Sequence, residues 1–158
     1  MRIRKETGPW SWSTFWKYFG ITAAIFSIFV VIDLADHHVS FVTWAYLVIY
    51  PTLFGSMYTH NTRASMLFVN DYQHIGSFEE VLTDKLKHEG YGVIQSGDHT
   101  VFFPTRGLRK FSQRWFGSEE ISVRWGSEIV ISGSAQRLSW VEDVLTWNPA
   151  FRYAPSTN

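Results

Sequence analysis

The chain of 158 residues has no cysteine, which excludes a disulfide scaffold, thiol catalysis and thiolate-bound zinc or iron–sulfur. It also has no charge excess, with 14 basic against 14 acidic side chains. A dedicated nucleic-acid binder carries a basic surplus to meet phosphates, so nucleic acid is not an expected partner. Catalytic signatures are missing too: the sequence holds no HExxH, GxSxG, P-loop or GxGxxG pattern. His60, His74, His88 and His99 are scattered, and the acidic pairs Glu79-Glu80, Glu119-Glu120 and Glu142-Asp143 read as capping or solvated positions because chain neighbours point apart. The expectation is a protein that is not an enzyme and takes no cofactor. A site gathered from distant residues is the rival reading, giving a membrane-associated enzyme acting on a lipid or envelope precursor.

What is present is unevenly distributed. Mean hydropathy is -0.07, yet between Tyr18 and Tyr58 the only fully charged side chains are Asp33 and Asp36. They split the stretch into two apolar runs. The first, over 16–35, has ~20 residues if Lys17 snorkels toward the headgroups, and the second, over 41–58, has ~18; at ~1.5 Å per residue both are long enough to cross a bilayer. Trp10, Trp12, Trp16 and Tyr58 stand at the ends of these runs, as interfacial aromatics do. Pro51 removes a backbone donor and is expected to kink the second run, freeing the carbonyl of Leu47. Gly20, Ala23, Ala24 and Ser27 place small side chains three and four apart, a stripe suited to close packing as the hairpin seam or against another membrane protein.

Flanking charge sets the expected orientation. Arg2, Arg4, Lys5 and Lys17 precede the first run, while the connection from Asp33 to Ser40 has no Lys or Arg. By the positive-inside bias both termini are cytosolic and the protein is integral to a membrane, the inner membrane if the source is bacterial. The expected organisation is a cytosolic segment over 1–17, a transmembrane hairpin over 18–58, a juxtamembrane connector over 59–76, a cytosolic domain over 77–151 and a tail over 152–158.

In the connector, Met66-Leu67-Phe68-Val69 fits either a continued helix or a strand. Ser77-Phe78-Glu79-Glu80 has the form of a capping box, followed by Val81, Leu82 and Leu86 at helical spacing and Gly90 as a left-handed stop. A strand, turn, strand, helix pattern then occurs twice: Tyr91 to Gln95, His99 to Phe103 and Arg106 to Phe116, then Glu120 to Trp125, Glu128 to Ser132 and Ser134 to Trp147. Ile121, Val123 and Trp125 alternate with Ser122 and Arg124, so Trp125 is expected inside. The tandem ββα pattern predicts an α+β fold with a four-stranded, mainly antiparallel sheet and helices on one face.

Three groups are candidates for binding. Asp33, Asp36 and His37 fall at i, i+3 and i+4 if the first helix runs through them, a spacing able to hold a divalent metal or relay protons, against the plainer reading of a polar turn that stops the helices. Arg106, Lys110 and Arg114 form a basic row, with Arg109 and Trp115 beside it, able to meet anionic lipid, an acidic partner or single-stranded nucleic acid, against the plainer reading of a core helix with a solvated face. Gly133-Ser134 exposes amides at a strand-to-helix junction but reads as a plain N-cap. Together these imply an anchored domain that docks a partner, as an accessory, assembly or regulatory subunit of a membrane complex. The expected partners are membrane lipid and another membrane or cytosolic protein, or a homo-oligomer; an oligomeric channel-like assembly of hairpins is a further alternative.

Overall fold

Among the described residues, alternation of apolar side chains builds six strands where four were expected. The computed structural model describes residues 1–35, 41–73, 75, 77–107, 110 and 119–151, with backbone alone at 33, 34 and 42. Two units are present, one formed by Met1–Gly8 with the chain from Ala64 onward, the other by Pro9–Arg63.

The first unit is α+β. Its antiparallel sheet contains β1 (Arg2–Thr7), β2 (Ala64–Asn70), β3 (Tyr91–Ser96), β4 (His99–Pro104), β5 (Ile121–Arg124) and β6 (Ile129–Ser134) in the order β1-β2-β6-β5-β4-β3. Strands β3 to β6 match the expected ones to within one or two residues. The additions come from segments read as a cytosolic N-terminus and a connector. Met66 to Val69 resolves as strand because Leu67 and Val69 are fully buried while Met66 is exposed, a period of two. Strand β1 then covers its edge, running from Arg2 opposite Asn70 to Thr7 opposite Ser65, and Gly8 N–H donates to the Ala64 carbonyl at 2.8 Å. The boundary at 77 therefore cuts through the sheet unit.

Helix α4 (Phe78–His88) buries Phe78, Leu82 and Leu86, and α5 (Ala135–Trp147) buries Leu138, Val141 and Leu145. All six join one core with Leu67, Val69, Phe102, Ile121, Val123, Ile129 and Ile131 from the sheet. Both helices thus lie on the same face. Gly90 follows α4 at φ +86°, the left-handed stop that the sequence implied. The capping box is not formed: Ser77 holds the N-cap position but its hydroxyl makes no capping hydrogen bond. Ser134 does cap α5, accepting from Arg137 N–H at 3.4 Å. Trp125 lies just past β5 and is half-buried rather than buried, its Nε1 donating to Thr100 Oγ1 at 2.7 Å.

In the second unit, α1 (Trp12–Ala35) is the one helix among the described residues long and apolar enough to cross a membrane, over the 21 residues Trp12–Ile32. Only 17% of its most apolar window is buried, and Ile25, Ile28, Phe29, Val31 and Ile32 are exposed. The second apolar run is segmented into α2 (Phe41–Trp44), a π-helical turn over Ala45–Ile49 and α3 (Tyr50–Asn61). The π turn, with Tyr50 N–H donating to the Ala45 carbonyl, widens the backbone just ahead of Pro51, which sits in the first turn of α3 where a missing donor costs little. Helices α1 and α3 pack on each other, and Tyr18 stacks on Tyr58 with ring centroids 5.3 Å apart.

Candidate docking surface

The pairing register fixes which side chains share a face. One row crosses all six strands on the helix side as Lys5, Leu67, Ile131, Val123, Thr100 and Gln95. Lys5 reaches α5 there, its Nζ 2.7 Å from Ser139 Oγ and 2.9 Å from Glu142 Oε2. Neighbouring positions point the other way, away from α4 and α5, because successive strand residues alternate. Two rows lie on that open face: Arg4, Phe68, Val130, Arg124, His99 and Ser96, then Glu6, Met66, Ser132, Ser122, Val101 and Ile94.

This face is basic around an apolar centre. Val130 is buried among its neighbours, Phe68 is half-buried beneath the Arg4 guanidinium at 4.6 Å from the ring centroid, and Met66 and Ile94 are 47% and 59% exposed. Arg2, Arg4 and Arg124 are set against Glu6 and against Glu128, whose carboxylate accepts from Asn70 Nδ2 at 2.8 Å opposite Arg2, and the Arg4–Glu6 pair at 3.4 Å is highly exposed. Such a pair is screened by water and leaves the face positive in sum. Sequence reading treated Arg2 and Arg4 as topology-setting flank charges; the Arg-Ile-Arg alternation was the signal that they share one strand face.

The buried charges belong to the fold. Glu119, ahead of β5, forms an ion pair with Arg137 in the first turn of α5, with side chains 8% and 18% exposed. Burial acts to lower the Arg137 pKa, but the Glu119 hydrogen bond and the nearby Tyr91 and Glu119 charges outweigh it and hold the guanidinium above its ordinary value.

Of the residues singled out in the sequence, Arg106 and Lys110 are exposed, while Arg109, Arg114 and Trp115 lie outside the described residues, as does most of the helix expected there. Asp33 falls within α1 with only its backbone described, and Asp36 and His37 lie outside the described residues. Among the described residues no three His, Asp or Glu side chains are placed to hold a metal ion. His60, His88 and His99 are all exposed, His99 standing 3.7 Å from its neighbour Asp98. In α1, Ala23 and Ser27 are half-buried, but Gly20 and Ala24 are exposed and a Cβ on Gly20 would meet nothing. Gly55 of α3 lies close against α1, where a Cβ would stand 3.2 Å from Phe19 N. No family model, no curated protein and no solved structure matches the chain.

Proposed function

We propose that this is a non-enzymatic integral membrane protein in which an apolar helix pair anchors an α+β domain, and that the domain docks an acidic partner on the open face of its sheet as an accessory, assembly or regulatory subunit. The observation that carries the reading is the hydrogen-bonded pairing of β1 with β2 on either side of the helical excursion. A chain that leaves the sheet at Gly8 and returns to its bonding partner Ala64 must cross a bilayer an even number of times. The run over 41–61, helical throughout, without a charged side chain and less apolar than α1, would supply the second crossing. Arg2, Arg4, Lys5, Lys17 and Arg63 all flank the same ends of the pair, so the sheet domain and both termini are cytosolic.

The outward exposure of α1 supports lipid contact, since a water-soluble hairpin would turn those isoleucines inward. Docking is supported by the open face, where net positive charge rims a half-buried apolar centre in the manner of an interface core with a polar border. The absence of cysteine makes topology directly testable. Single cysteines at His38, in the connection, and at Ser127, in the β5–β6 turn, are expected to react with a membrane-impermeant maleimide from opposite sides of sealed vesicles; labelling from one side would overturn the anchor. For docking, Arg2→Glu, Arg4→Glu and Arg124→Glu together are expected to release a salt-sensitive partner from the purified membrane complex while leaving the melting temperature of the protein unchanged. An unaltered set of co-purifying chains would overturn the choice of face.

A further inference from the structure

At the end of the sheet where β5 turns into β6, Tyr72, Ile75 and the first turn of α4 line an open cavity of about 530 Å³. Its lining includes three aromatic rings, Tyr72, Phe78 and Trp125, and two carboxylates, Glu79 and Glu80, with no lysine or arginine among the described residues that line it. We propose that this cavity binds a small organic cation of the quaternary ammonium class, a site distinct from the docking face.

The walls are fixed before any ligand arrives. Tyr72 donates its hydroxyl proton to the Gly126 carbonyl, and Trp125 Nε1 donates to Thr100 Oγ1 at 2.7 Å, so each of the two half-buried rings is held by its polar end. Phe78, a core residue that also lines the cavity, packs behind them, its ring centroid 5.5 Å from Tyr72, 6.5 Å from Trp125 and 5.1 Å from Phe151. Aromatic faces attract a diffuse cation through their quadrupoles, and locked rings lose no rotamer freedom on binding. Glu79 and Glu80 lie in the first turn of α4, where their charge opposes the positive helix end that would otherwise favour an anion. Gln95 Nε2 donates to Glu79 Oε1 at 3.2 Å, which orients one carboxylate and leaves its second oxygen for a ligand. The cavity volume lies in the range of small-molecule sites, well above the space one trimethylammonium group fills.

The test is calorimetric titration of the full chain in a maltoside detergent with choline chloride, and in parallel with 3,3-dimethylbutan-1-ol, its uncharged isostere. Choline is expected to bind about threefold more tightly than the alcohol, the ratio a partly exposed cation–aromatic contact supplies. Equal affinities, or no binding of choline, would overturn the proposal. Glu79→Gln with Glu80→Gln is expected to weaken choline binding several-fold, and Trp125→Leu to abolish it. Should Trp125→Leu fail to give the wild-type circular dichroism, the double glutamine variant decides, because both glutamates are exposed; unchanged affinity in that variant would reject the site. Protein in phosphatidylcholine nanodiscs that no longer binds added choline identifies the lipid headgroup as the source, and binding retained there identifies a free cation.

Discussion

At the residue scale, stability concentrates where strand alternation meets the two covering helices. Leu67 is fully buried in the middle of the helix-side row, so Leu67→Ala removes a side chain that its neighbours can only partly replace and is expected to cost ~2–5 kcal/mol in chemical denaturation. Met66→Ala, one position along on the open face, is expected to leave the midpoint almost unmoved. The Glu119–Arg137 pair behaves differently from either. Removing one partner strands the other in a poorly hydrated place, so Glu119→Gln is expected to cost ~3 kcal/mol, and joining it to Arg137→Met to restore part of that loss. The sign of its pH dependence follows from the raised Arg137 pKa. A folded-state value raised above the ordinary guanidinium value contributes stability that is fully present below the unfolded value and lost only in strongly alkaline solution. The melting-temperature difference between wild type and Arg137→Met should therefore hold constant from mildly acidic to mildly alkaline buffer, and a difference that shrinks within that window would mean a neighbouring group, not the guanidinium, sets it.

At the element scale the informative strand is β1. Lys5 ties it to α5 through Ser139 and Glu142, with the Lys5 and Glu142 side chains 25% and 36% exposed. Lys5→Ala is expected to cost about 1 kcal/mol, the worth of a partly screened charged hydrogen bond, whereas Arg4→Ala on the exposed face should cost less. Comparative thermal melts would check the order, and an equal or reversed order would mean that β1 presents the other face to α5. Strands β3 to β6 and helices α4 and α5 were legible in the sequence because each carries its own period and ends at Gly90, Gly97 or the Ser134 cap. β1 was not, because an edge strand is allowed to be polar: four of its six residues are charged, and only Ile3 marks the buried side. Its partner lies across the whole helical excursion, a separation no local pattern encodes. The open face of the sheet was equally hidden, since it depends on β1 bringing Arg2 and Arg4 into register with Phe68 and Val130 of strands far along the chain.

On the scale of the whole molecule, the apolar helices are an insertion in a β-hairpin rather than a segment preceding a domain. Gly8 and Ala64 are already joined by a hydrogen bond of 2.8 Å, so residues 9–63 span the place where a tight turn would otherwise sit. Replacing them with Asn-Gly, whose left-handed preference matches the twist of paired strands, is expected to give a detergent-free soluble protein with a single cooperative unfolding transition. The core should survive this because its buried side chains come from β2 to β6, α4, α5 and the segments that flank them. A fragment over 77–151 serves as the contrast. It lacks β1 and β2, leaves the backbone groups of β6 without their ladder and uncovers Ile131 and Leu138, so it should aggregate or unfold without cooperativity. If that fragment instead folds as well as the Asn-Gly protein, the first two strands contribute nothing to the domain, and the argument for an even number of crossings falls with them.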